Sequence, residues 1–257
     1  IMNFKEINLV ISKIKNKAYS PIYFLMGEET YFIDYITRLL EKEVLNKEEE
    51  SFNKTIVYGK DSSINSLISI CKRYPIMSKY QLVILKEGQE LSRKIEDLSN
   101  YVLNPLMTTI LIVNYKYKTI DKRKKLFKNI HKFGTIIDCK KIYESRIPNW
   151  IVDQLKSDGF SIEYKACSML VDYTGNDLKK INNQLNKLKI ICSENKNITP
   201  NLIEENIGIS KDFNVFELRN AIGVKNINKA LIISNYLAKN SNKYPIQIIL
   251  SSLFNFF

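Results

Sequence analysis

The amino-acid sequence predicts an α/β fold continued by an all-α segment. Three observations carry the prediction. Over the first 140 residues, short apolar runs alternate with stretches whose apolar residues recur at three and four positions. Those runs are apolar without alternation, as in parallel strands covered on both faces by helices. After Cys139 the runs stop and helical spacing alone remains.

Asn3–Lys15 opens with Phe4, Ile7, Val10, Ile11 and Ile14 at helical spacing. Pro21 precedes Ile22-Tyr23-Phe24-Leu25-Met26, a strand stopped by Gly27. Glu29–Leu45 is a helix with Phe32, Ile33, Ile36, Leu39 and Leu40 on one face. Thr55–Tyr58 is a second strand, and Asp61 is placed to cap a helix carrying Ile64, Leu67, Ile68 and Cys71. Gln81–Leu85 reads as a third strand, Leu91–Leu103 as a helix and Thr108–Asn114 as a fourth strand. Lys122–Lys132 reads as a basic helix and Thr135–Cys139 as a fifth strand.

Ile142–Leu155, with Trp150, opens the helical part. Ala166–Tyr173 and Leu178–Ile191 follow, split by Thr174-Gly175-Asn176-Asp177, where Gly175 suits a helix end and Asn176 or Asp177 the next cap. Thr199-Pro200 starts another helix. From Phe213, three further helices are expected: Asn214–Ile222, Ile227–Leu237 and, opened by Pro245, Ile246–Phe257. The last ends on Phe254, Phe256 and Phe257, which implies either packing on a partner or an incomplete segment. The expected domains are therefore 1–140, 141–210 and 211–257.

Composition narrows the function. The 257 residues are 45% hydrophobic and 26% charged, an ordinary globular balance. No apolar run reaches membrane-spanning length, and the N-terminal segment lacks the order of a secretory signal, so a cytoplasmic protein with no membrane partner is expected. The single histidine, His131, excludes a multi-histidine metal site and leaves little for Ser–His or Cys–His catalysis. Cys71, Cys139, Cys167 and Cys192 are widely spaced, as suits reduced, partly buried thiols. Of the net charge of +12, residues 101–150 hold +8, chiefly around Lys122, Arg123, Lys124, Lys125, Lys128 and Lys132. Such a cluster suits phosphate or DNA contact. It equally suits a solvated face in a chain where lysine, asparagine and isoleucine abound together.

A strand, a glycine and a helix form the usual place for a nucleotide. A phosphate loop there needs glycines, a lysine and a Ser or Thr for the metal. The residues present are Gly27-Glu28-Glu29-Thr30-Tyr31-Phe32, with no lysine and two carboxylates. Asp34 has no acidic partner at another strand end, and the fourth strand ends in Asn114-Tyr115-Lys116. No catalytic, cofactor-binding or metal-binding residues are expected.

Here the sequence becomes specific. The segment Tyr23-Phe24-Leu25-Met26-Gly27-Glu28-Glu29-Thr30-Tyr31-Phe32-Ile33-Asp34 resembles the opening signature of the delta-subunit family of bacterial DNA polymerase III. Three later stretches resemble the same family in the same order: Arg73 to Lys86 (RYPIMSKYQLVILK), then Trp150-Ile151 with Leu170 to Leu178 (LVDYTGNDL), then Phe213 to Leu218 (FNVFEL).

The resemblance implies an AAA+-like parallel-sheet domain, a small helical lid and a helical collar that is only partial here, through either a fragment or a shortened gene. It implies a clamp-loader subunit that neither binds nor hydrolyses ATP but holds a sliding clamp open, within a DNA-directed DNA polymerase (nucleotidyltransferase) holoenzyme. The implied partners are the sliding clamp (beta subunit), the gamma/tau and delta-prime subunits through the collar, and primed DNA. The family's clamp-binding pair stands before the third strand, which places it at Ile76 and Met77, beside Pro75. The family often has Leu-Phe there, so Ile-Met is a departure. The competing reading makes Ile76 and Met77 buried residues leading into the strand. Arg146 follows Ser145 but lacks the Ser-Arg-Cys motif of partner subunits, and is expected to be structural. Two other functions remain open: a basic nucleic-acid-binding module, and a divergent AAA+ nucleotide hydrolase.

Overall fold

A computed structural model describes residues 4–207 and 213–256. The chain forms two compact units, Ile1–Lys141 and Ile142–Phe257. The expected boundary at 210/211 lies outside the described residues, as does the expected end of the last helix at Phe257.

The first unit is an α/β layer structure. Its strands are β1 (Ile22–Gly27), β2 (Lys54–Tyr58), β3 (Gln81–Lys86), β4 (Thr109–Lys116) and β5 (Thr135–Asp138). They form one sheet in the order β2-β3-β4-β1-β5, with every pairing parallel. The register sets Phe24 beside Val113 and Ile136, and Ile84 beside Ile112 and Ile56. The unalternating apolar runs are explained by cover on both sides. The helices are α1 (Phe4–Lys15), α2 (Thr30–Val44), α3 (Lys47–Asn53), α4 (Ile64–Cys71), α5 (Ser99–Leu103) and α6 (Lys125–Phe133).

One face of the sheet, through Ile22, Phe24, Met26, Val83, Leu85, Leu111 and Val113, shares a core with Ile64 and Leu67 of α4, Tyr101 and Val102 of α5, and Leu126 and Ile130 of α6. Strand residues of the other parity face the opposite way. There Asn114 Oδ1 accepts from Thr37 Oγ1 at 2.9 Å, which fixes α2 on that side. Each fully buried Leu, Ile or Phe contributes about 1.5–3 kcal/mol, so the sheet core dominates this unit's stability.

The second unit is helical: α7 (Ile147–Ser157), α8 (Tyr164–Thr174), α9 (Leu178–Ile191), α10 (Pro200–Ile207), α11 (Val215–Gly223), α12 (Ile227–Lys239) and α13 (Ile246–Phe254). Trp150, Ile151, Leu170, Ile181, Leu185 and Ile203 are buried within it. Gly175 closes α8 with φ +64°, and Asp177 caps α9 by accepting from Lys179 N and Lys180 N. A sequence-invisible pair of two-residue parallel strands, β6 (Ser161–Ile162) and β7 (Asn197–Ile198), joins the two flanks of α8 and α9. The expected α/β-plus-all-α class holds, with a five-stranded all-parallel sheet in the first unit.

Five elements differ from expectation. Leu91–Leu103 is not one helix: two 3₁₀ turns, Gly88–Leu91 and Ile95–Leu98, precede the short α5. The buried residues Ile95, Leu98 and Tyr101 recur every third position, the period of a 3₁₀ turn. Asp61 lies in a 3₁₀ turn, and Ser63 is the cap of α4, trading hydrogen bonds with Ser66. The basic helix starts at Lys125 because Asp121 holds the preceding residues in a turn: its side chain accepts from Arg123 N at 2.9 Å and its carbonyl from Lys124 N at 3.1 Å. The helix expected from Ile142 begins at Ile147, after a 3₁₀ turn at Glu144–Arg146. Helix α3 was not expected; Asn46 and Glu49 form its capping box.

Candidate functional site

After β1, where a nucleotide would sit, two of the backbone amides are taken up by the chain itself. A phosphate cradle works by presenting free backbone N–H groups. Gly27 N donates to Lys118 O at 3.1 Å, and Glu29 N donates to Cys139 O at 2.8 Å. The Glu29 carboxylate caps α2 by accepting from Tyr31 N at 3.3 Å. Asp34 pairs with Lys116 at the end of β4, at 2.6 Å. Gly27 is required here: its φ is +123°, and a Cβ would run into the Cys139 backbone. Burial pushes the Cys71 and Cys139 thiols up to about 12. Among the described residues, no group of three or more His, Cys, Asp or Glu is gathered as a metal site, and no helix is long and apolar enough to cross a membrane.

The loop between α4 and β3 is a different matter. Ile76 is 58% exposed and Met77 fully exposed, while Pro75 is half-buried. They are not the buried start of a strand; β3 starts at Gln81. Tyr74 beside them is 74% exposed. The backbone under this apolar tip is held at several points. Asn53, 3% exposed at the end of α3, accepts from Ile76 N at 2.7 Å and donates to Ile76 O at 2.9 Å. The Gln81 amide donates to Arg73 O, and to Thr109 Oγ1 at 2.7 Å. Glu49 is hydrogen-bonded to the Asn46 backbone and to the Ser78 hydroxyl, and these bonds hold its carboxyl below its ordinary value. Met77 has φ +51°, a conformation costly for a residue with a side chain.

Sequence reasoning located the tip but missed its supports, Asn53 and Glu49 in α3. A signal was present: asparagine at position 46 followed by glutamate three residues later marks a helix start. Phe52, next to Asn53, is 72% exposed and was also passed over.

The basic cluster is split. Arg123 is engaged by Asp121 at 2.7 Å, which holds that carboxyl down at about 2, and Lys124 lies 3.8 Å from Glu96. Lys122, Lys125 and Lys128 are exposed and have no ion-pair partner among the described residues. His131 is exposed and stacks on Phe127, with ring centroids 6.4 Å apart. Arg146 is exposed at the cap of α7.

Comparison with known proteins bears on the whole chain. Residues 23–140 match the family model described as DNA polymerase III, delta subunit. The DNA polymerase III subunit delta of Bacillus subtilis is 26% identical over 249 residues, covering 93% of this chain and 72% of that protein. The probable DNA polymerase III subunit delta of Aquifex aeolicus is 25% identical, covering 90% of this chain and 68% of that protein. Among solved structures, the Bacillus subtilis DNA clamp loader delta protein shares the fold with a TM-score of 0.71 at 23% identity, over 97% of this chain and 76% of that one. The family model matches residues 23–140, and in sequence the curated relatives extend the resemblance to the delta subunit of DNA polymerase III over nine-tenths of the chain.

Proposed function

We propose that this chain is a clamp-loader subunit that docks on a sliding clamp through Pro75, Ile76 and Met77 and holds the ring open at one interface. It acts within a DNA polymerase III assembly in the cytoplasm and supplies no catalytic group of its own. Residues 141–210 serve as a lid, and residues 211–257 as the start of the collar, through which gamma/tau and delta-prime subunits are met. Lys122, Arg123, Lys124, Lys125 and Lys128 lie close to primed DNA in the assembled loader, with Lys122, Lys125 and Lys128 the groups free to meet phosphate.

The observation that carries the reading is the tip. Two adjacent large apolar side chains project into solvent from a loop whose backbone is fastened to α3 and β3. Exposed apolar groups on a fixed base suit insertion into an apolar pocket, and methionine adapts to irregular pockets.

The test is a pull-down of the chain with its cognate sliding clamp, against I76S/M77S. Wild type is expected to bind, and the double variant to lose at least tenfold in affinity, as for loss of two central anchors. Equal binding by both removes the tip from the site; no binding by wild type removes the function.

A further inference from the structure

We infer that Asn53 is a positioning residue of the docking tip, setting the Ile76 backbone in its docking conformation before any partner arrives. The inference rests on the reading of Ile76 and Met77 as the clamp-binding pair.

Asn53 closes α3, and its side chain meets both backbone polar groups of one loop residue. Its Oδ1 accepts from Ile76 N at 2.7 Å, and its Nδ2 donates to Ile76 O at 2.9 Å. The remaining Nδ2 hydrogen reaches Glu49 O at 3.2 Å. Asn53 thus gives Ile76 the paired bonds that a neighbouring strand would give. The pairing is directional, because a reversed amide sets donor against donor and acceptor against acceptor. Only an amide of this length supplies both bonds from a helix end.

Asn53 is buried and offers almost no surface to a partner. Any effect on docking must therefore run through the loop. With Ile76 held at both polar groups, its side chain projects outward and Met77 follows in the left-handed region. A loop ordered in advance does not lose that freedom on binding, whereas a loop that is competent only part of the time binds more weakly by the competent fraction.

The test measures affinity of the full chain for its sliding clamp in five forms: wild type, N53A, N53D, I76S/M77S and the triple variant N53A/I76S/M77S. N53A is expected to weaken binding about tenfold, the scale of two lost hydrogen bonds. N53D keeps the acceptor for Ile76 N but turns a carboxylate oxygen on Ile76 O, and should also weaken binding. If N53A unfolds at the assay temperature, N53D carries the comparison. The triple variant should bind no more weakly than I76S/M77S, since a residue acting through the tip has nothing left to position. Amide hydrogen exchange of the free protein should quicken at Ile76 in N53A while β1, β3 and β4 stay protected.

Wild-type affinity in N53A together with fast Ile76 exchange overturns the inference. So does an N53A loss that is undiminished in the I76S/M77S background, which would mark a general structural effect. A wild-type chain that fails to bind overturns the functional reading, and the positioning role in docking with it. That failure is distinguishable, because it shows in wild type before any substitution.

Discussion

Met77 is the residue whose conformation and exposure pull in opposite directions. It sits at φ +51° with its whole side chain in solvent, so it adds neither favourable backbone geometry nor burial to the free fold. Glycine adopts that φ without penalty. M77G is therefore expected to leave the protein as stable or up to about 1 kcal/mol more stable, while weakening clamp binding. Urea denaturation and a binding assay on the same preparation check both halves; a clear loss of stability would mean the side chain packs in the free protein. Whether Ile76 and Met77 faced core or solvent was not legible in the sequence. An isoleucine and a methionine before a strand have the same letters either way, and the answer depends on Asn53, 23 residues earlier. Asn53 itself carried no local pattern, because its role exists only once α3 meets the loop.

At the scale of elements, α8 and α11 are joined by a partly buried charge pair. Arg219 donates to Asp172 at 3.3 Å and lies over the rings of Phe216 and Phe256. Burial pushes the Asp172 carboxyl up to about 6, against the pull of Arg219. A carboxyl with a higher value folded than unfolded binds its proton more tightly in the fold. Its contribution is thus most favourable below pH about 4 and declines as pH rises through about 6. Wild type should lose about 2 kcal/mol relative to D172N between those limits, measured by urea denaturation. If wild type gains on the variant instead, the Arg219 pair outweighs desolvation.

Elements also show where the sequence was readable. The strands were, because a run such as Ile110 to Val113 has no polar face to offer water. The segment from Leu91 was not, because 3₁₀ and α spacing differ by a fraction of a residue per turn. β6 and β7 are too short to form any pattern.

For the molecule as a whole, its division into a sheet unit and a helical unit was legible from where the apolar runs stop, near Cys139. The net charge of +12 proved less informative than its distribution, since Arg123 and Lys124 have carboxylate neighbours within the same unit. The engaged Gly27 and Glu29 amides give a further expectation: millimolar Mg-ATP leaves the thermal unfolding midpoint unchanged. A ligand that binds the folded state at a hundred times its Kd would add about 2.7 kcal/mol, so a clear upward shift would show that the two engaged amides do not prevent nucleotide binding. For anyone wishing to retrofit nucleotide control, exchanging Glu29 for lysine would not suffice. Freeing the Gly27 and Glu29 amides would orphan the Lys118 and Cys139 carbonyls, each loss costing about 1–3 kcal/mol if left buried. The path of the chain beyond β5 would have to be redesigned together with the loop, so exchanging residues one at a time passes through intermediates less stable than either end.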